Sequence, residues 1–179
     1  AQGDARWRTL RLHGGLRRHM TGSREFWSPS AGATLGLGSW RVRASGYRAF
    51  RAATLNELFR EFRAGNAVTL ANPALRPEAL TGVETGADWR GENASFSFTL
   101  FRNDLTDLIT NVTRSVTPQL ITRQRNNAAS ALVRGAEATV RKSWRHWRAE
   151  ASWLYADSRF ATGLRIPQIP KNQGSAQLF

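Results

Sequence analysis

A period of two dominates this chain. In Trp40-Arg41-Val42-Arg43-Ala44-Ser45-Gly46-Tyr47, the residues Trp40, Val42, Ala44 and Gly46 fall on one face of an extended strand and Arg41, Arg43, Ser45 and Tyr47 on the other. The same segregation recurs three times. Ala94, Phe96, Phe98 and Leu100 oppose Ser95, Ser97 and Thr99. Ala136, Ala138 and Val140 oppose Gly135, Glu137, Thr139 and Arg141. Trp147, Ala149, Ala151, Trp153 and Tyr155 oppose Arg148, Glu150 and Ser152. Matching this period along the chain predicts about eight strands, near 6–13, 30–37, 40–48, 79–90, 94–104, 132–144, 147–157 and 172–179.

Two architectures fit the alternation. A soluble sandwich hides its apolar faces against each other and turns its charges to water. A membrane barrel does the reverse, with apolar and aromatic side chains facing lipid and charged ones enclosing a wet interior. The connections separate the two. Short ones are predicted at Gly38-Ser39, Gly91-Glu92 and Arg145-His146, and long ones over roughly Ala49 to Ala79, Asp104 to Leu132 and Ser158 to Asn172. Short and long alternate, as in a barrel with tight periplasmic turns and extended outer loops, and structureless loops of that length are uncommon in compact soluble domains. No run of about 18 apolar residues exists, so a transmembrane helix is excluded, whereas a transmembrane strand needs only about 9–11 alternating residues. Trp40, Trp89, Trp144, Trp147 and Trp153, near predicted strand ends, suit an aromatic girdle between hydrocarbon and headgroups. Within the longest loop, Thr54-Leu55-Asn56-Glu57 is a capping-box sequence with Leu58, Phe59 and Phe62 at helical spacing, so a helix of one or two turns is expected there.

Charge refines the picture without redirecting it. The formal charge of +13 is almost all arginine, with Lys142 and Lys171 the only lysines. Arginine beside tryptophan, as in Arg6-Trp7-Arg8, would suit nucleic acid, but the basic residues alternate with apolar ones along the whole chain instead of forming a dense footprint, so nucleic acid is not the expected partner. Cysteine is absent, which removes disulfides and thiolate metal sites. His13, His19 and His146 are scattered and lack the spacing of a zinc site. No nucleophile elbow, phosphate loop or carboxylate dyad occurs, so neither an enzyme, nor a cofactor, nor a metal site is expected.

Two segments of the longest loop carry a family resemblance. Phe50-Arg51-Ala52-Ala53-Thr54-Leu55-Asn56-Glu57-Leu58-Phe59 and Asn72-Pro73-Ala74-Leu75-Arg76-Pro77-Glu78 resemble paired segments of TonB-dependent outer-membrane receptors, a Phe-Arg-x-Pro-Thr/Ser-x-x-Glu-Leu stretch after one barrel strand and an Asn-Pro-x-Leu-x-Pro-Glu stretch before the next. Ala53 stands where the family usually has proline, which makes the start of the loop less rigid. Glu84 also matches, Asp107-Leu108-Ile109-Thr110 looks like the family's end-of-strand segment, Arg134-Gly135-Ala136-Glu137 is similar to its Arg-Gly-Val-Glu strand start, and Ile166-Pro167-Gln168-Ile169-Pro170-Lys171 resembles its lead into another wall strand. The likeness covers about residues 28 to 179, by segments in order and spacing.

The resemblance implies an all-β antiparallel transmembrane barrel segment, about eight strands of a plugged barrel of about 22. It places the chain in the outer membrane of a Gram-negative bacterium, as part of a receptor that takes up a scarce nutrient such as a ferric siderophore or cobalamin. The implied partners are outer-membrane lipid and lipopolysaccharide, the plug of the same receptor, TonB acting through an N-terminal part expected to lie outside this piece, and the nutrient itself. Loop residues Arg60, Arg63, Arg114, Arg123 and Arg125 are the candidates for an anionic ligand. Arg41, Arg43, Glu84, Asp88, Glu137 and Arg141 are expected to face the lumen or plug, or to pair across neighbouring strands. The competing expectation is an autonomous eight-stranded barrel with an adhesin or structural role, since about eight strands suffice to close a narrow barrel.

Overall fold

The computed structural model describes residues 1–21 and 24–179. Its strands are β1 (Gln2–Trp7), β2 (Leu10–Thr21), β3 (Arg24–Leu37), β4 (Trp40–Arg51), β5 (Phe62–Ala64), β6 (Ala67–Leu70), β7 (Glu78–Arg90), β8 (Ala94–Val116), β9 (Ile121–Ser143), β10 (Arg148–Phe160) and β11 (Asn172–Leu178), with one helix, α1 (Leu55–Phe59). Nine strands lie side by side in the order β1-β2-β3-β4-β7-β8-β9-β10-β11, every pair antiparallel. The eight-stranded closed barrel does not form. Among the described residues β1 and β11 each have a single neighbour, so the sheet is an open segment of wall.

Register turns the alternation of each strand into continuous stripes, because directly opposed residues share a face. Leu37, Trp40, Trp89, Phe96, Val140, Ala151 and Ala176 form one row across six strand pairs. Leu35, Val42, Ala87, Phe98, Ala138, Trp153 and Gly174 form the next row on that face. The opposite face carries Arg41, Asp88, Ser97, Thr139, Ser152 and Ser175 in one row and Arg43, Gly86, Thr99, Glu137, Leu154 and Gln173 in another.

Among the described residues no second layer covers the apolar face. Leu35, Leu37, Trp40, Val42, Val83, Leu100, Val140 and Trp153 are all exposed, and the buried hydrophobic residues among those described are only Val68, Leu75, Ala131 and Ala156. A sandwich would have sealed the first group. Each of those half-exposed side chains forgoes on the order of 1 kcal/mol in water, and together they rival the roughly 5–15 kcal/mol by which a whole domain is stable. The face is therefore built for a hydrocarbon solvent. Among the described residues no helix is long and apolar enough to cross a membrane.

The tight turns fall where the short connections predicted them. Tight turns at Arg8-Thr9, Gly38-Ser39, residues 91–93 and residues 144–147 lie at one end, and Gly38 takes φ +60°, the left-handed conformation that glycine adopts without strain. Trp7, Trp40, Trp89, Trp144 and Trp147 all lie at this turn end. Trp153 does not: it sits in the middle of β10, opposite Ala138, so it belongs to the apolar wall and not to the girdle.

Three strand assignments need correction. The expected strand near 6–13 is a hairpin, β1–β2, folded at Arg8 with φ 51°. The strand expected at 30–37 begins at Arg24. The loop expected from Asp104 to Leu132 is mostly ladder: β8 and β9 run 23 residues each and turn only at 117–120. Asp107-Leu108-Ile109-Thr110 accordingly lies inside β8, where register shifts around Leu108 and Asp107 has φ 57°, so this segment is a bulge and not a strand end. At about 3.4 Å per residue β8 spans on the order of 75 Å, far more than a membrane requires. Above the membrane both faces are wet, so the apolar half of the alternation disappears while the hydrogen-bonded ladder continues.

Gly135 shows why the Arg-Gly-Ala-Glu segment carries glycine. A Cβ there would collide with the Tyr155 carbonyl oxygen of β10 and lie 2.7 Å from the Phe101 ring of β8. Gly135→Val should destabilise the wall by about 1–3 kcal/mol through overpacking. The check is the temperature at which the folded protein in detergent loses its compact electrophoretic mobility, which should fall relative to wild type.

Candidate functional site

At the loop end, the excursion between β4 and β7 folds down onto the β8–β9 extension as a polar platform. Thr54 caps α1, accepting from the Glu57 amide at 3.2 Å while the Glu57 carboxylate accepts from the Thr54 amide at 2.7 Å, so the expected capping box is present. Arg51, the last residue of β4, donates to both Glu57 carboxylate oxygens at 3.1 and 3.3 Å and to Glu78 at 2.6 Å. Glu78 in turn accepts from the Ile109 amide of β8 at 2.8 Å. One guanidinium thus ties the start of the loop, its helix and its return to a single point.

The second motif docks the remainder. Asn72 donates to the Arg125 carbonyl at 2.8 Å and accepts from the Ala74 amide at 3.0 Å, closing the turn before Leu75, which is almost wholly buried. Asn127 accepts from the Arg76 amide and donates to the carbonyls of Arg76 and Asp107, at 2.8, 2.8 and 2.7 Å. Strand β6 then pairs in parallel with β9, Ala67 to Leu70 against Ile121 to Gln124, while β5 folds back on β6. These bonds give the two motif segments a physical role: they convert a long excursion into an ordered shelf on the hairpin.

The predicted loop arginines divide into two kinds. Arg125 donates to the carbonyls of Asn56 and Arg60 at 3.0 and 2.8 Å, closing the open end of α1, and Arg114 donates to Gln124 at 2.9 Å. Both hold the shelf together. Arg60 and Arg63 are exposed and Arg123 half-buried; Arg63 reaches the Gly65 carbonyl at 3.4 Å, and no hydrogen bond is made by the side chains of Arg60 and Arg123 among the described residues.

Arg41, Arg43, Glu84, Asp88, Glu137 and Arg141 share the polar face, brought there from three strands. Pairing across strands accounts for several of them. Arg43 donates to Asp88 at 3.3 Å and to Thr99 at 2.6 Å, Ser97 donates to Asp88 at 2.7 Å, and Arg141 makes a two-pronged bond to Glu150 at 2.8 and 2.9 Å. Glu84 accepts from the Tyr47 hydroxyl at 2.9 Å. Arg41 and Glu137 make no side-chain hydrogen bond among the described residues. Arg41 instead belongs to a groove at the turn end, also lined by Arg6, Arg8, Arg11 and Arg43, with Asp88 as its carboxylate. Nothing in the alternation distinguished Tyr47, Arg51 or Asn127, because their partners lie on other elements and loops. His13 covers Gly32, and His19 packs on the Phe50 ring with centroids 5.3 Å apart.

Burial alone would raise the Glu57 carboxyl, but the Arg51 guanidinium and the Thr54 amide and hydroxyl outweigh it and hold it below the usual carboxylate range. A carboxylate depressed in the folded state stabilises the shelf above its unfolded pKa and loses that contribution as pH falls through the folded value. Amide protection of α1 should therefore be constant from neutral pH down to about 5 and decline below about 4. Arg51→Gln should weaken both the pH dependence and the protection, as read by hydrogen exchange.

Comparison with known proteins agrees with this architecture. No curated protein matches the chain. Among solved structures, the siderophore receptor PirA from Pseudomonas aeruginosa is similar over 88% of this chain and 33% of its own, with 23% identity and a TM-score of 0.78. A variant of the ferric enterobactin receptor PfeA from the same organism covers 96% and 28%, with 19% identity and a TM-score of 0.77. The FrpB iron transporter from Neisseria meningitidis covers 99% and 29%, with 17% identity and a TM-score of 0.73. The chain thus spans about a third or less of the length of these structures. At such identities the likeness establishes the fold. The family itself follows from a match of residues 1–179 to the model described as TonB dependent receptor-like, beta-barrel, and with an uncovered apolar face, tight turns at one end and a folded shelf at the other, the chain belongs to that family.

Proposed function

We propose that this chain is part of the barrel wall of a Gram-negative outer-membrane receptor, and that the receptor imports a scarce nutrient carried as an anionic metal chelate, a ferric siderophore before cobalamin. The observation that carries the reading is the shelf. A receptor must hold its capture surface still beyond the membrane, and here the two motif segments spend their polar groups on fastening the excursion to a ladder that rises well past the hydrocarbon. Arg60, Arg63 and Arg123 stand on that shelf with donors to spare, suited to the carboxylate, catecholate or hydroxamate oxygens of a chelate. The similar structures, a siderophore receptor, a ferric enterobactin receptor and an iron transporter, support the same class of cargo.

The polar face supplies the enclosed side. Its charges pair across strands close to the turn end, Arg43 with Asp88 and Arg141 with Glu150, yet the arginine groove there, with Asp88 as its one carboxylate, remains rich in unmatched positive charge, a socket suited to an acidic surface of a plug. Force from TonB would act on that plug, with the wall as a fixed frame. The chemistry is capture and passage, with no bond made or broken by these residues.

Replacing Arg60, Arg63 and Arg123 together by glutamine in the full receptor should weaken binding of a radiolabelled ferric chelate by about tenfold or more, since a hydrogen bond to a charged group contributes about 1.5–3 kcal/mol. Barrel stability should be unchanged. Unaltered binding and uptake would refute the role given to the shelf.

A further inference from the structure

The apolar face ends abruptly in charge. On β4 and β7–β10, the face bearing Trp40, Val42 and Phe98 carries Lys142 beside the turn at 144–147 and then, from the row of Trp40 through the row Ala44, Thr85, Leu100, Ala136 and Tyr155, no ionisable side chain apart from the Tyr155 phenol. The next row on the same face is Gly46, Val83, Arg102, Arg134 and Asp157, and the one after it Arg48, Thr81, Asp104, Leu132 and Arg159. Counted along β9 and β10 from the aromatic turn at Trp144 and Trp147, Arg134 and Asp157 each lie about ten residues away, the length a tilted strand needs to cross hydrocarbon. The charges therefore begin where acyl chains give way to headgroups, at the loop end.

The arrangement there is cationic and only partly self-satisfied. Asp157, nearly buried, pairs with Arg134 at 3.4 Å and Arg159 at 3.0 Å, and Asp104 pairs with Arg102 at 2.9 Å. Arg159 also donates to the Gly163 carbonyl at 3.2 Å. The three guanidinium side chains remain 56%, 64% and 48% exposed for Arg102, Arg134 and Arg159. Each presents five donors in a planar fork, and the two carboxylates and one carbonyl use only some of them. Exposed Arg48 lies in register two strands from Asp104, and the Lys171 ammonium lies 5.4 Å from the centre of the Tyr155 ring, so five cations face outward against two carboxylates.

We propose that this row is a headgroup site on the lipid-facing side of the wall, in which Arg102, Arg134 and Arg159 hold the phosphate of an anionic outer-leaflet lipid whose acyl chains lie along Leu100, Phe98 and Trp153. Asp157 and Asp104 act as spacers that hold the guanidinium planes in place and leave their outer edges to the phosphate. The carbon chains and the phosphate must belong to one molecule, because apolar wall and cationic row adjoin on the same strands. The site lies on the face opposite Arg43 and Asp88. It rests on the family and on the direction of the apolar face, and not on the identity of the nutrient.

The full receptor, purified in detergent without any nutrient, is incubated with bisphosphorylated lipid A, with its monophosphorylated form or with phosphatidylcholine, and retained lipid is counted by native mass spectrometry. Wild type should retain the bisphosphorylated lipid best, and the triple variant R102Q/R134Q/R159Q should retain it at least about tenfold less, as expected for charges at a membrane surface. R102K/R134K/R159K should recover part of the loss, since it keeps charge but not the fork. Equal retention by wild type and the glutamine variant overturns the proposal. Displacement of the lipid by inorganic phosphate at matched concentration overturns it also, by showing a site for free anions. If the triple variant fails to fold, Arg134→Gln, which leaves Asp157 paired with Arg159, decides the question by the same count.

Discussion

Hydrocarbon offers no partner to a backbone amide or carbonyl, and every other feature of this chain follows from that constraint. A sheet satisfies it only if the ladder is continuous wherever lipid touches it, and here the pairing runs unbroken from one neighbour to the next across nine strands. Continuity in turn forces register, and register aligns the short alternations of separate strands into rows. A slip of one residue in β7 would set Asp88 in the row of Trp40 and Phe96 and move Trp89 among the arginines. The long run of matched partners between β4 and β7 makes such a slip costly along its whole length.

Because both faces are committed by the solvents on either side, the fold has almost no conventional core. What it buries lies under the loops: Leu75 beneath the shelf, Val68 on β6, and Ala156 and Ser158 below the connection to β11. Stability outside the membrane comes from polar side chains used as fasteners. Arg51, Asn72 and Asn127 each bond to two or more segments far apart in sequence, so each closes a loop entropically expensive to close otherwise.

The net charge of +13 is distributed by these same faces. Arginine on the enclosed face meets Asp88 and Glu150, arginine in the shelf meets main-chain carbonyls, and arginine on the outer face appears only beyond the apolar rows. Three environments thus share one residue type. The guanidinium suits all of them because it stays charged and offers several donors in fixed directions.

Local features determined a great deal by themselves: the alternation of apolar and polar residues set the strand class, the two faces and the grouping of Arg41, Arg43, Glu84, Asp88, Glu137 and Arg141 on one side, while the capping box at Thr54 set the helix and the turn residues set the tight turns. Those are local properties, readable because side-chain direction in a strand depends only on position along it. The tertiary structure decided what depends on partners distant in sequence. It made Asp104 to Leu132 a ladder, since a strand wetted on both faces has no periodic signature, and it divided the loop arginines into fasteners and free donors. It also brought Arg102, Arg134 and Arg159 to one height on the outer face, a coincidence set by register between strands and invisible along any one of them.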